Sequence, residues 1–430
     1  MQYLAKNMIP GTIEIVSGKG IKVYDQQGRE YLDLTSQTLC LNLGHGHPAI
    51  MEPLRELLGR EGFTYYVSPR FKNSTVAELA KRLVELAPEG LNKVNLHLCN
   101  GSDATEDGLK RARKYHRDNG KMKVVSLKGS YLGSSSETIS ASGGNIWQEP
   151  CLGGTGEYIY LEPIQPFRLP KGMTMDELVG EKLNEFETLV RSRGDIAGII
   201  MEIVPFNAGV LVPPKEYVKG IERICNENDV VMVVDEIQTS FGWCGNIFTS
   251  NIYGVKPDVI ALAKGLTAGF PALAATIFKE KYDVLNSGTS EYTFGAQTIA
   301  SVAALANIKY LTTSGILDTI PEKHERMMSH LRIMKDKYSF VGDVRGLGLI
   351  LGVEFVHQDG SPDTEIGIDI FRAAVQRGLF INIPTTFPGY HSVISIKPPI
   401  IITPEEIDDA MGRLDEAMQS CVKRDDGTSR

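Results

Sequence analysis

Lys264 closes the apolar run Val259-Ile260-Ala261-Leu262-Ala263 and is followed by Gly265. An ammonium carried by a buried strand to a tight turn is costly unless it is paired, neutralised or used covalently. One such use is a Schiff base with a carbonyl compound, including an aldehyde cofactor. Alone, the pattern equally describes a lysine that closes a surface strand. A second apolar run, Val230-Val231-Met232-Val233-Val234, ends in Asp235-Glu236. A lysine and an aspartate at neighbouring strand ends can hold the aldehyde and the pyridinium nitrogen of one pyridoxal phosphate ring, and this pairing moves the reading from surface to site.

The elements around these two residues follow the same logic. The run Val94-Asn95-Leu96-His97-Leu98-Cys99 reads as a strand and leads through Asn100-Gly101-Ser102-Asp103 into a helix expected over 104–117. The first turn of a helix offers unpaired N–H groups and the positive end of its dipole, so Gly101 and Ser102 suit a phosphate cradle. An ordinary capped turn fits them as well. Lys123-Val124-Val125-Ser126-Leu127 is a further strand, and Tyr131 just after it is placed to stack on a planar ring. Ile196 to Met201 is an apolar strand ending in Glu202. The strand–helix rhythm from about 94 to 280 predicts a mostly parallel sheet covered on both faces. Ligands of such sheets sit at the carboxyl ends of the strands. Ser102, Tyr131, Glu202, Asp235 and Lys264 all fall at such ends, from different units.

Outside that region, Ile21 to Tyr24 and Glu30 to Leu34 form a hairpin around Asp25-Gln26-Gln27-Gly28. His45 and His47, in a glycine-rich loop before a helix starting near Pro48, are expected to cap or brace that turn. A helix over 74–86 takes Ser74 or Thr75 as its cap. An irregular stretch over 142–171 precedes helices over 175–192 and 215–228. A strand near 272–278 and an alanine-rich helix opened by 293–297 follow, and a second long helix spans 321–338. Beyond Val344 short strands (349–355, 380–382, 393–396) alternate with helices (364–377, 404–419). The expected partition is an N-terminal segment, 1–50, joining the small domain; a large α/β domain, 51–315; and a small C-terminal α/β domain, 316–430. The polar tail, 423–430, is expected to be disordered.

Composition narrows the class. Of the 430 residues 42% are hydrophobic and 23% charged, which suits a globular protein of two or three domains. A net charge of −8 lacks the basic face that a nucleic-acid binder needs. The six cysteines are scattered without CxxC spacing, as reduced thiols of a cytoplasmic protein would be. Residues 1–10 show no signal peptide, and no apolar run nears the ~20 residues that span a bilayer. No HExxH or carboxylate-rich cluster points to a catalytic metal.

Taken together, the chain resembles the class-III (ornithine/ω-type) pyridoxal-phosphate-dependent aminotransferases of the fold-type I superfamily. The resemblance runs nearly end to end, from Leu43-Gly44-His45-Gly46-His47-Pro48 to Pro398-Pro399-Ile400. It is strongest at Asp235-Glu236-Ile237-Gln238, Lys264-Gly265, Asn100-Gly101-Ser102-Asp103-Ala104 and Val341-Gly342-Asp343-Val344-Arg345-Gly346-Leu347-Gly348. The resemblance implies an aspartate aminotransferase-like fold. It implies that Lys264 forms the Schiff base with pyridoxal 5'-phosphate and later moves the proton, and that Asp235 pairs with the pyridine nitrogen. Ile237 and Tyr131 would sandwich the ring, Gln238 lie near its phenolic oxygen, and Gly101 and Ser102 bind the phosphate. Glu202 belongs to the same implied site. Thr293 corresponds to a threonine that reaches the phosphate from the neighbouring subunit, implying a homodimer with shared sites. The implied reaction is ping-pong transfer from an amino donor to an aldehyde or ketone.

Several positions depart from the family pattern. Tyr131-Leu132-Gly133 stands where Tyr-His-Gly is usual, and Glu202-Ile203-Val204-Pro205-Phe206 replaces Glu-Pro-(Ile/Val)-Gln-Gly. Ser395 occupies the slot of an arginine that grips the substrate α-carboxylate, with Lys397 two residues on. The missing fork argues against a plain α-amino acid held in the standard way and towards an ω-amine or a specialised biosynthetic intermediate. Arg70, Lys72 and Lys397 remain as cations, with a solvated surface position expected for each. A dialkylglycine-decarboxylase-like enzyme, which the run Gly378-Leu379-Phe380-Ile381-Asn382-Ile383 loosely resembles, and an amino-acid racemase or epimerase are the alternatives. A non-catalytic cofactor-binding module is a third.

Overall fold

The computed structural model describes residues 13–64, 66–68, 70–143, 158–382, 385–387 and 391–422. Its centre is a seven-stranded sheet in the order Lys93–Leu98, Ala274–Phe278, Val259–Leu262, Val231–Asp235, Ile196–Glu202, Lys123–Leu127, Tyr158–Leu161. The last five of these strands are joined by parallel pairings. Ala274–Phe278 runs antiparallel to both of its neighbours. Lys93–Leu98 therefore points the same way as the parallel strands, and the carboxyl ends of six strands share one edge.

Both faces of this sheet are covered, which is why its strands read as unbroken apolar runs. Val231, Val233 and Val259 pack with Leu109 and Ala112 of the Gly101–Tyr115 helix. Met232, Val234 and Ile260 turn the other way, into the cluster that holds Ile221 and Ile224 of the Lys215–Asn228 helix. A Cβ on Gly108 would lie 2.8 Å from Val233 Cγ1, so a glycine there lets the Gly101–Tyr115 helix come close to the sheet.

Among the described residues two smaller sheets complete the fold. The antiparallel strands Val341–Leu347, Ile350–Phe355, His391–Ile396 and Thr385–Phe387 form one. Helices Ile320–Lys337, Thr364–Gln376 and Pro404–Val422 belong to the same half of the chain. In the other sheet the N-terminal strands Ile15–Lys19, Lys22–Asp25 and Glu30–Asp33 are joined by Leu379–Phe380, with Leu379 opposite Leu32 in parallel register. The N-terminal hairpin is thus hydrogen-bonded to the C-terminal part of the chain.

The structure corrects several sequence expectations. The helix expected to start at Ala104 starts at Gly101, because the Asn100 and Asp103 side chains cap each other's backbone and draw residues 101–103 into the first turn. The cap of Ser74–Leu86 is Asn73, whose side chain accepts from Thr75 and Val76. Tyr158–Leu161 is a strand inside the stretch expected to be irregular, with Tyr158 opposite Val124. Val341–Leu347 is also a strand, its pattern blurred by Gly342, Asp343, Arg345 and Gly346. The helix expected to open at 293–297 begins at Thr298. The histidines do brace their loop: the Ala49 N–H donates to His47 Nδ1 at 3.2 Å, and His45 Nε2 lies 3.2 Å from Asp33 Oδ2. Ile383 and the tail 423–430 lie outside the described residues.

The turn between Val341–Leu347 and Ile350–Phe355 ties the small sheet to the large one. The Leu349 N–H donates to the Trp243 carbonyl at 2.7 Å, and Gly348 has φ +56°. A Cβ at Gly348 would sit 2.1 Å from that same carbonyl oxygen, where only backbone could yield. Gly360 has φ +81° with nothing within 4 Å of its Cβ position. We expect Gly348→Ala to lower the unfolding free energy by about 3 kcal/mol or more, and Gly360→Ala by about 1 kcal/mol. Urea denaturation of both variants checks this; equal losses would mean that the contact with Trp243 does not hold the turn.

Candidate active site

Strand register brings the acidic ends together. Glu202 stands opposite Asp235, and Asp235 opposite Ala261, three residues before Lys264. These ends open into a cavity of about 220 Å³ whose wall includes Gly101, Ser102, Tyr131, Asp235, Ile237, Gln238 and Lys264. Glu202 stands behind this wall. Its Oε1 accepts from Gln238 Nε2 at 3.0 Å and its Oε2 from the Tyr131 N–H at 3.2 Å. Thr293 is exposed and does not line the cavity. A larger depression, about 660 Å³, lies along Val67, Asn73, Asn95 and Glu291 and contains none of the convergent residues.

Lys264 sits at φ +42°, a left-handed conformation that costs a non-glycine residue on the order of 1 kcal/mol and persists only where its surroundings enforce it. Here Asn307 Nδ2 donates to the carbonyls of Gly265 (2.7 Å) and Leu266 (3.2 Å). Asn42 Nδ2 in turn donates to Asn307 Oδ1 at 3.1 Å and to the Phe241 carbonyl at 2.9 Å. The indole of Trp243 fills the space where a Gly265 Cβ would be, 2.7 Å from Cζ3. The Lys264 ammonium points back over the cavity, 5.9 Å from the centroid of the Tyr131 ring. Burial holds this amine below the ordinary lysine range, while Asp235, Cys40 and Glu202 pull the other way.

Asp235 is held at both oxygens. Oδ1 accepts from the Ile237 N–H at 2.9 Å and Oδ2 from Thr105 Oγ1 at 3.2 Å. Sequence reasoning missed Thr105, although it lies four residues after Gly101 and so on the same helix face. It also missed Asn42 and Asn307, whose work is on backbone carbonyls and leaves no local pattern. Burial pushes the Asp235 carboxyl up to about 6 against the opposing pull of these partners and Lys264. Burial, and then the Asp235 charge, push Glu202 up to about 8.

The far end of the cavity is built from close approaches. A Cβ on Gly101 would come within 3.1 Å of Ile237 Cδ1, and one on Gly133 within 2.5 Å of Ser102 Oγ. Ser102 Oγ accepts from the Ser134 N–H at 3.0 Å, and Ser134 Oγ lies 2.9 Å from the Tyr131 hydroxyl. The first-turn N–H groups at Gly101 and Ser102 have no acceptor within their own helix.

Of the three outlying cations, Arg70 and Lys72 are exposed. Lys397 is not a surface charge: it is 1% exposed, with Nζ 4.0 Å from the centroid of the Phe206 ring. Ser395 is buried as well. Among the described residues no group of three or more His, Cys, Asp or Glu is placed to hold a metal ion, and no helix is long and apolar enough to cross a membrane.

The buried carboxyl of Asp235 ties stability to pH. Its folded value, about 6, lies above the ordinary 3.8. Between the two the folded state binds more protons than the unfolded state, so this contribution is complete below 3.8 and is lost as pH rises through 6. For protein stripped of bound ligand, we expect Asp235 to remove on the order of 2 kcal/mol of stability between about pH 4 and pH 7, and Asp235→Asn to flatten that slope. Urea unfolding at several pH values measures it; parallel slopes for the two proteins would contradict the burial assigned to this carboxyl.

Residues 3–418 match the family model described as aminotransferase class-III. An acetylornithine aminotransferase of Caldanaerobacter subterraneus is 32% identical over 421 residues, covering 97% of each chain. An adenosylmethionine-8-amino-7-oxononanoate aminotransferase of Geobacter sulfurreducens is 29% identical, over 95% of this chain and 92% of that one. The solved structure of a Bacillus anthracis aminotransferase superposes with a TM-score of 0.89 at 26% identity, over 97% of this chain and 96% of the other. The chain belongs to the class-III aminotransferase family, whose members move amino groups with pyridoxal phosphate on the fold-type I scaffold.

Proposed function

We propose that the 220 Å³ cavity holds pyridoxal phosphate and that amino transfer takes place there in two half-reactions, from an amino donor and then to an aldehyde or ketone. One observation carries this reading: the Lys264 amine and the Asp235 carboxylate border the same cavity as the open N-terminus of the Gly101–Tyr115 helix. The residues fit the group. The close approaches at Gly101 and Gly133 leave a cradle against first-turn N–H donors, which suits a phosphate. Tyr131 and Ile237 offer flat apolar surface for a ring.

When bound, the cofactor ring supplies an electron sink for the bond broken at the substrate carbon. Lys264 provides the amine for covalent attachment and afterwards carries the proton at Nζ, a role that its lowered proton affinity favours. Asp235, oriented by Ile237 and Thr105, keeps a proton on the ring nitrogen. Gln238, anchored by Glu202, faces the ring oxygen.

Thr293 acts in the cavity of a partner subunit in this reading. Its exposure supports that placement, as do the neighbouring Phe294 and the nearby Phe71, 69% and 70% exposed, which a second copy would cover. The substrate is an amine that does not rely on an arginine at position 395.

Three experiments test these assignments. Lys264→Ala should lose the visible absorbance of the bound cofactor and cut transfer by at least about a thousandfold, whereas Asp235→Asn should keep the bound cofactor but transfer poorly. Donors supplied without acceptor should bleach that absorbance without releasing carbon dioxide; gas evolution would point to decarboxylation instead. Coexpression of Lys264→Ala with Thr293→Val chains should restore one intact site per mixed dimer. If the mixed dimers are no more active than the parents, the sites are not shared.

A further inference from the structure

Asn307 is fully buried within the Thr298–Thr313 helix, whose other buried residues include Ala303, Ala304, Ile308 and Leu311. An asparagine in a helix interior is unfavourable, because its amide competes for backbone partners, and burying that amide is costly unless its donors are met. Here both donor bonds leave the helix, to the Gly265 carbonyl at 2.7 Å and the Leu266 carbonyl at 3.2 Å. Its Oδ1 accepts from Asn42 Nδ2 at 3.1 Å. Asn42 is fixed in turn, since its own carbonyl accepts from the Ile400 N–H at 2.8 Å. Asn42 Oδ1 is buried without a hydrogen-bond partner, so the amide is oriented for what its nitrogen reaches. Two buried amides are committed to one backbone turn.

That turn needs outside support. Lys264 (φ +42°) and Ala268 (φ +52°) are both left-handed without being glycine, a region that the Cβ disfavours. Between them, Gly265 is packed so closely against Trp243 that a Cβ would lie 2.7 Å from the ring. The ring contact limits where the turn can move, and Asn307 supplies its polar hold. Return of Lys264 to an ordinary backbone region would rotate its Cα–Cβ bond and swing Nζ off the cavity wall.

We propose that Asn307 is a positioning residue for the Lys264 amine: by tying down the Gly265 and Leu266 carbonyls it keeps Lys264 left-handed and Nζ within reach of a cofactor aldehyde. The inference rests on the amino-transfer reading. Asn42 acts one step further out, by fixing the direction in which the Asn307 amide faces. In the attachment step the neutral Lys264 amine adds to the aldehyde carbon, a C=N bond replaces C=O, and the oxygen leaves as water with the two amine protons. Neither amide touches the reacting atoms. Both act on the distance and angle of attack, where a misplacement of about 1 Å costs up to about a hundredfold in rate.

Two ligands separate positioning from folding. Pyridoxal phosphate needs the Lys264 amine for covalent attachment, whereas pyridoxamine phosphate has no aldehyde and reads the phosphate cradle and ring site alone. In the full-length protein stripped of ligand, borohydride quenching at timed intervals followed by peptide mapping measures attachment at Lys264. Equilibrium dialysis measures pyridoxamine phosphate binding. Asn307→Leu, close in size but without hydrogen bonds, should slow attachment by about tenfold to a hundredfold, with pyridoxamine phosphate binding held within about twofold. Asn42→Ala should slow attachment by about threefold to tenfold, and it decides the question if Asn307→Leu does not fold. Ile308→Ala removes another buried side chain of the same helix and should lower stability without changing the attachment rate. Attachment at the wild-type rate in either amide variant, an equal slowing in Ile308→Ala, or a parallel loss of both ligands would overturn the proposal. Failure of the transfer reading shows separately, as wild-type protein that traps no pyridoxal phosphate on Lys264.

Discussion

The protein depends on burying an amine and a carboxylate at the wall of one cavity without pairing them to each other. Water would screen them and a direct ion pair would spend both. The fold avoids each outcome by giving the two groups separate supports. Asp235 is satisfied by Ile237 and Thr105, and Lys264 is raised on a left-handed turn clamped by Asn307 and Asn42. Both border the same cavity.

The same burial governs the neighbouring acids. Glu202 and Glu236 are pushed up to about 8 and 7, each mainly by desolvation and each further by the Asp235 charge. Their uses differ. Glu236 is turned away from the cavity and accepts from the Thr249 and Ser250 backbone, bracing the loop after the strand. Glu202 binds Gln238 and Tyr131, two residues of the cavity wall. A row of acids at adjacent strand ends thus separates by hydrogen-bond partners into one that faces the cavity, one that positions the wall and one that is structural.

Much of this was legible beforehand because it is local. Buried parallel strands must be apolar along their whole length, so a charged residue at the end of such a run stands out, and Glu202, Asp235 and Lys264 all did. The helices 175–192 and 215–228 were also readable, from periodicity and boundary residues. The Val341–Leu347 strand was not, because its glycines and charges are explained by close packing on Val356 and Leu351 and by the pairs that Arg345 makes with Asp343 and Glu354. The first turn at Gly101 was misplaced by three residues because a reciprocal cap depends on side-chain geometry as well as residue type.

The amino-acid sequence by itself determined which strands end in chemistry, and through its motifs the family to which they belong. Those facts reside in runs of neighbouring residues. Only the tertiary structure decided that Lys397 is buried, that Thr105 touches Asp235, and that Asn42 and Asn307 set the Lys264 turn. Each of these depends on residues from 42 to 265 positions apart, or on whether water reaches a side chain, and neither is encoded in local pattern.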